Sequence, residues 1–178
     1  MENKIIIAGF GGQGVQSLGM FIAYASIHDG KEVTFLPSYG PEMRGGTSNC
    51  SVVVSDEPVA SPIIAVPDML IAMNKPSLAK FVNKVRPGGT IIVNSSLIDE
   101  KVERTDVKVV YINANELAVE AGNVKTANIV VLGAYAKMSG DFSPEVMQAV
   151  IEKKFAKKPK VIPANIKAFN LGFNIQSV

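Results

Sequence analysis

The residues best equipped for chemistry follow the first apolar run: Gly9-Phe10-Gly11-Gly12-Gln13-Gly14. Glycines at 9, 11 and 14 form a G-x-G-x-x-G pattern between an expected strand and an expected helix. Glycine permits positive φ and lets backbone approach a ligand without a Cβ in the way. The N-terminus of the following helix presents unpaired N–H groups and partial positive charge, which favours an anion, typically a phosphate. A second loop, Ser38-Tyr39-Gly40-Pro41-Glu42-Met43-Arg44-Gly45-Gly46-Thr47-Ser48-Asn49, carries one of only three arginines in the chain. Arg44 offers a planar fork of donors to phosphate or carboxylate. Glu42 is placed to pair with it, and Tyr39 offers a flat stacking face. Each loop also has a plainer reading. The first serves tight strand–helix packing alone; the second is a self-satisfied Glu42–Arg44 loop that packs against a neighbouring subunit.

Other reactive side chains are scarce. The single histidine, His28, reads as an exposed or capping residue rather than a catalytic base. The single cysteine, Cys50, reads as a buried small hydrophobe. One cysteine cannot hold an iron–sulfur cluster, which takes about four ligands. No residue is assigned a catalytic or metal-binding role. A nicotinamide site would need a carboxylate at the end of the second strand to hold the ribose. That strand ends Phe35-Leu36-Pro37-Ser38, which argues against a free-standing dinucleotide-binding enzyme.

The elements that must position these loops follow from hydrophobic periodicity. Lys4–Ala8 reads as a buried strand. Gln13 to about Asp29 reads as a helix burying Val15, Leu18, Ile22 and Ala25, with Gly30 at its end. Val33–Leu36 is predicted to be a strand that stops at Pro37. Thr47–Ser55 alternates, so it is the one strand open to an antiparallel role. Strands are expected at Met69–Met73, Thr90–Val93 and Val107–Ile112. Helices are expected from near Pro76 to Val85, then over Ala114–Ala121, Thr126–Met138 and Pro144–Phe155, with a helical tail from about 163. This alternation predicts a three-layer α/β/α sandwich with a mainly parallel sheet, in a single domain spanning 1–178.

Composition sets limits. The 178 residues are 47% hydrophobic and 19% charged, an ordinary globular balance. Eighteen basic and 16 acidic side chains give a net charge of +2, too balanced to suggest nucleic acid as a bulk partner. Five lysines crowd Lys153 to Lys160, and a solvated helix end accounts for them. With one cysteine and no signal peptide, the reducing cytoplasm is the expected compartment. No apolar run reaches the ~18 residues of a membrane span, so no membrane association is expected.

Taken together, Gly9–Val15 and Ser38–Cys50 resemble the gamma subunits of 2-oxoacid:ferredoxin (acceptor) oxidoreductases. The similarity extends to Asn74 and to Pro87-Gly88-Gly89. The Gly-Pro-Glu-Met-Arg-Gly-Gly form is most similar to 2-oxoglutarate and branched-chain 2-ketoacid members. The resemblance implies a subunit of an enzyme of EC 1.2.7 type, inactive alone, whose complex turns a 2-oxoacid and coenzyme A into acyl-CoA, carbon dioxide and reduced ferredoxin. It implies alpha and beta (thiamine-binding) subunits, and a ferredoxin-like delta subunit or ferredoxin, as partners. Thiamine diphosphate, Mg2+ and iron–sulfur clusters would belong to those partners, leaving this chain with no cofactor of its own. Homodimerisation of the isolated chain is left open. Coenzyme A is the implied ligand of this chain, with Gly9, Gly11, Gly12, Gln13, Gly14, Tyr39, Glu42, Arg44, Gly45, Gly46 and Asn74 as candidate contacts. The alternative is a scaffold subunit whose loops touch only partner chains.

Overall fold

The computed structural model of the protein describes residues 1–38 and 47–175. Six strands form one sheet in the order β2-β3-β1-β4-β5-β6. They are β1 (Glu2–Phe10), β2 (Glu32–Ser38), β3 (Thr47–Ser55), β4 (Met69–Ala72), β5 (Thr90–Asn94) and β6 (Lys108–Ile112). β1, β4, β5 and β6 are mutually parallel. β3 lies between β1 and β2 and runs antiparallel to both. The alternation of Thr47–Ser55 agrees with this antiparallel role.

Helices cover both faces of the sheet unequally. Odd-numbered residues of β1, Ile5 and Ile7, join Cys50, Val52 and Val54 of β3 in a core with five helices. These are α1 (Val15–His28), α3 (Ala114–Ala121), α4 (Ala127–Ser139), α5 (Pro144–Lys154) and α6 (Ile162–Phe173). Even-numbered Ile6 and Ala8 face the other way and pack with Leu78 and Phe81 of α2 (Lys75–Phe81) and with Ile98. Period-two alternation along β1 thus separates the two cores. Ile5, Ile7, Ile71 and Ile92 are fully buried. Each removes apolar surface worth about 1.5–3 kcal/mol.

Two boundaries depart from the sequence expectation. Helix α1 starts at Val15 rather than Gln13, because the Gln13 N–H turns back to Phe10 O at 3.2 Å and Gly14 adopts φ 76°. Strand β2 does not stop at Pro37 but runs through it to Ser38, with Pro37 opposite Cys50. Since β2 is an edge strand, one side has no partner, and a residue lacking an N–H is tolerated there.

α6 is closely packed rather than peripheral: Ala168 and Phe169 are fully buried. It crosses α4 backbone to backbone at two glycines. A Cβ on Gly133 would sit 2.1 Å from Phe169 O, and one on Gly172 would sit 1.8 Å from Val130 O. Only glycine allows that approach.

Candidate functional site

The glycine loop, the C-terminal ends of β4, β5 and β6, and the start of β3 all lie at one edge of the sheet. Thr47 pairs with Phe10, and Ser38 pairs with Asn49. The Thr47 end of the second loop therefore sits beside the glycine loop, and the Ser38 end lies one strand further out on the same edge. Tyr39, Glu42, Arg44, Gly45 and Gly46 themselves lie outside the described residues.

The glycines have distinct local reasons. A Cβ at Gly9 would meet Met73 Cβ at 2.8 Å and Val15 Cγ2 at 2.9 Å, so Gly9 serves the strand–helix contact. Gly12 adopts φ 93° with open space around it. Gly14 combines φ 76° with a close neighbour: an added Cβ would fall 2.4 Å from Asn128 Nδ2. Gly11 and Gly12 are exposed.

Gln13 braces the loop. Its Oε1 accepts from Phe10 N at 2.6 Å and from Asn74 Nδ2 at 3.3 Å. Its Nε2 donates to Met73 O at 3.3 Å. Asn74 is buried and caps α2, accepting from Ser77 N at 2.9 Å. The side chains of Gln13 and Asn74 are thus committed to the scaffold. Among the described residues, the N–H groups of Gly11, Gly12 and Gly14 have no acceptor, and the first helical bond of α1 is Leu18 N to Gly14 O. The donors left to an incoming group are therefore mainly backbone.

Four residues that sequence reasoning passed over complete this edge. Gln16 ties α1 to the start of β3, donating from Nε2 to Ser48 Oγ at 3.0 Å and Asn49 O at 2.9 Å. Asn128 donates to Gly14 O at 3.4 Å and so joins the N-terminus of α4 to that of α1. Asn115 accepts from Asn94 Nδ2 at 3.2 Å. Lys125 is exposed and stands just before α4. Gly12, Gln13, Met73, Asn115, Lys125 and Asn128 line a cleft of about 170 Å³. That is smaller than the ~300–1,000 Å³ of drug-sized pockets and suits a single phosphate-sized group.

The charge pattern favours an anion. Neither α1 nor α4 has an acidic residue in its first turn or a side-chain cap. Both positive helix ends therefore remain uncompensated by protein carboxylates. α3 differs: its first turn carries Glu116, whose carboxylate accepts from the Ser96 hydroxyl and is thereby held in its charged form below the ordinary range, which offsets that helix end. A lysine before a helix N-terminus opposes the helix dipole, and Lys125 is such a residue in the sequence.

The remaining titratable candidates are structural. Cys50 is fully buried, donates weakly to Val15 O at 3.7 Å, and has its thiol pushed up to about 12 by burial. A thiol that stays protonated at neutral pH is a poor nucleophile. His28 is exposed in the last turn of α1. Among the described residues, no group of three or more His, Cys, Asp or Glu could hold a metal ion. No step is assigned to a metal or cluster in this chain. No helix of the described residues is long and apolar enough to cross a membrane.

Comparison with known proteins places this architecture. The chain is 38% identical to ketoisovalerate oxidoreductase subunit VorA of Methanothermobacter marburgensis, over 96% of this chain and 36% of VorA. It spans about a third of that relative's length. The keto/oxoacid ferredoxin oxidoreductase gamma subunit from Geobacter sulfurreducens superposes with a TM-score of 0.87 at 31% identity, covering 97% of this chain and 95% of that one. The 2-oxoglutarate:ferredoxin oxidoreductase from Magnetococcus marinus, solved with 2-oxoglutarate, coenzyme A and succinyl-CoA bound, gives a TM-score of 0.88 at 27% identity. It covers 99% of this chain and 32% of that one. Residues 4–175 match the family model described as pyruvate ferredoxin/flavodoxin oxidoreductase, and the chain belongs to that family.

Proposed function

We propose that this chain is the gamma subunit of a thiamine diphosphate-dependent 2-oxoacid:ferredoxin oxidoreductase acting on 2-oxoglutarate, and that its glycine-loop edge holds phosphate groups of coenzyme A. The complex converts the 2-oxoacid and coenzyme A to acyl-CoA and carbon dioxide, with the electrons passing to ferredoxin. Thiamine diphosphate, held by partner subunits, supplies the carbanion chemistry. This chain contributes no reacting group; it binds and orients the thiol substrate. Gly11, Gly12 and Gly14 present backbone N–H groups, Lys125 adds a mobile cation, and Gln13 and Asn74 fix the loop. Tyr39, Glu42, Arg44, Gly45 and Gly46 bring the second loop to the same ligand, with Arg44 as the main charge.

The observation that carries this reading is the meeting of two helix N-termini, neither with an acidic residue in its first turn, and Lys125 at the glycine loop. The 2-oxoglutarate assignment draws support from the Magnetococcus relative, whereas VorA is a ketoisovalerate protein. Steady-state kinetics of the assembled complex test the reading. A charge-assisted hydrogen bond is worth about 1.5–3 kcal/mol. Arg44→Ala and Lys125→Ala should each raise the KM for coenzyme A about ten- to a hundredfold, with 2-oxoacid decarboxylation intact. An unchanged KM in both variants would reject the phosphate-binding role.

One observation favours a second reading, a scaffold subunit: the Gln13, Asn74 and Gln16 side chains are all engaged within the fold. Coenzyme A binding to the complex reconstituted with and without this chain separates the two. A free-standing dinucleotide enzyme is disfavoured by topology, because β3 occupies the position beside β1 where the acidic strand end of such folds would lie.

A further inference from the structure

The far end of α1 carries a second surface, unrelated to the glycine loop. α1 runs 14 residues from that loop, about 20 Å at 1.5 Å per residue. There Tyr24, Ile27 and His28 face Val150, Lys153 and Lys154 of α5 across a groove of about 330 Å³. Its floor is apolar and open: Ile27 is 64% exposed and Tyr24 42%. Lys153 and Lys154 of its lining are cationic, and Lys157, Lys158 and Lys160 follow them in the chain. Lys153, Lys154, Lys157, Lys158 and Lys160 are all exposed, and none forms an ion pair among the described residues. Lys154 instead lies 5.5 Å from the Tyr24 ring centroid. Neighbouring Glu152 and Asp29 are exposed but pair with none of the five. Phe155, packed 6.1 Å from the Phe21 ring, anchors this lysine-rich turn to the core.

We propose that the α1–α5 groove is a docking site for an acidic segment of another subunit of the complex, which inserts an apolar side chain between Tyr24 and Ile27. The inference rests on the subunit reading above. Charge complementarity selects the occupant. A second copy of this chain docked face to face here would bring Lys153 and Lys154 against the same two lysines. An apolar floor in a concave groove suits an inserted side chain better than a flat lipid surface or a nucleic-acid backbone. In VorA and in the Magnetococcus oxidoreductase, the matching region is 36% and 32% of a longer chain, so there this fold has further polypeptide attached.

The test uses the full chain assembled with its alpha and beta subunits. Ile27→Cys carrying a maleimide photo-crosslinker labels selectively, because Cys50 is buried. The expected adduct maps to a segment of a partner subunit rich in Asp and Glu. The triple variant K153E/K157E/K158E should weaken assembly about tenfold or more in dilute salt, and far less in high salt, where screening acts within ~3 Å. Its circular dichroism melt should match the parent, since all three side chains are exposed; a K153A/K157A/K158A variant should give a smaller loss. Adducts only to a second copy of this chain would overturn the proposal, as would displacement of the partner by RNA or anionic vesicles. An intact complex with no adduct and unchanged affinity overturns the groove alone. Failure of any assembly overturns the subunit reading with it.

Discussion

Gly14→Ala tests whether the glycine loop is built as described. Gly14 sits at φ 76°, where an alanine costs about 1–2 kcal/mol. The new Cβ also falls 2.4 Å from Asn128 Nδ2 and 2.7 Å from Asn128 Cγ. Asn128 is 9% exposed, so its side chain has little room to withdraw. Overpacking of that kind costs about 1–3 kcal/mol. The total expected for Gly14→Ala is therefore about 2–5 kcal/mol. Gly12→Ala is the matched control, because φ there is 93° but nothing lies within 4 Å of the added Cβ. It should lose only the backbone share, about 1–2 kcal/mol.

Urea unfolding measures both variants. With m near 2 kcal/mol/M, the midpoint should fall by about 0.5–1 M for Gly12→Ala and about 1–2.5 M for Gly14→Ala. Adding Asn128→Ala to Gly14→Ala removes the steric partner, so the double variant should recover much of the difference between the two glycine variants. Equal midpoints for Gly12→Ala and Gly14→Ala would refute the contact between the glycine loop and α4. A double variant no more stable than the additive sum would do the same. Either result would also undo the grouping of α1 and α4 around one cleft.

Other perturbations probe the scaffold. Gly172→Ala places a Cβ 1.8 Å from Val130 O, a backbone atom with no rotamer to change, and should cost about 3 kcal/mol or more in urea melts. Gly30→Ala, at φ 72° in open space, should cost only about 1–2 kcal/mol. Asp141 Oδ2 accepts from Tyr135 Oη at 2.6 Å and Asn3 Nδ2 at 2.8 Å, bridging α4 and β1. Asp141→Ala strands the fully buried tyrosine hydroxyl and should cost about 2–3 kcal/mol; Tyr135→Phe in that background should restore part of it. Cys50 makes stability pH-dependent. Its folded thiol, raised from 9.0 to about 12, stays protonated while the unfolded chain releases its proton. That stability is whole below pH 9 and declines between pH 9 and 12, by at most about 1.4 kcal/mol per unit. Alkaline melts of wild type against Cys50→Ala should diverge across that window, and parallel curves would count against it.

The parts legible in the sequence were those governed by local rules. Thr47–Ser55 alternates because β3 buries Ser48, Cys50, Val52 and Val54 more completely than the partners between them at its start. Ala114–Ala121 and the Ser143-Pro144 start of α5 follow helix propensity and capping, and Ser143 Oγ does accept from Val146 N at 3.4 Å. The glycine loop stood out because the left-handed backbone at Gly12 and Gly14 and the close contact at Gly9 each need glycine. What escaped depends on contacts distant in sequence. Asn128 lies 114 residues from Gly14, and Gln16 lies 33 from Asn49; nothing in spacing announces either contact. Pro37 misled because a proline reads as a strand end until the strand is known to be at a sheet edge. The bracing contacts of Gln13 were equally hidden. An amide in a glycine loop looks like a ligand donor, yet it folds inward to Phe10, Met73 and Asn74.

The insertion of β3 between β1 and β2 is the step that separates this edge from a dinucleotide site. In a doubly wound sheet, the strand beside β1 ends at the ligand and can hold out a carboxylate to a ribose. Here the strand beside β1 starts at the glycine-loop edge, because it is antiparallel. It presents Thr47, Ser48 and Asn49, which are neutral, and the chain leading into it is the Arg44-bearing loop. The reversal leaves no carboxylate at this strand end. If the proposed function holds, the helix N-terminus that would serve a pyrophosphate is kept, and discrimination would rest on negative charge rather than on ribose hydroxyls. A carboxylate introduced at that strand start tests this directly. Asn49→Asp places a charge near the glycine loop without altering side-chain size and should raise the KM for coenzyme A in the assembled complex. If Asn49→Asp left that KM unchanged while Lys125→Ala raised it, the reversed strand would be a neutral wall, and the charge selectivity would belong to α4 alone.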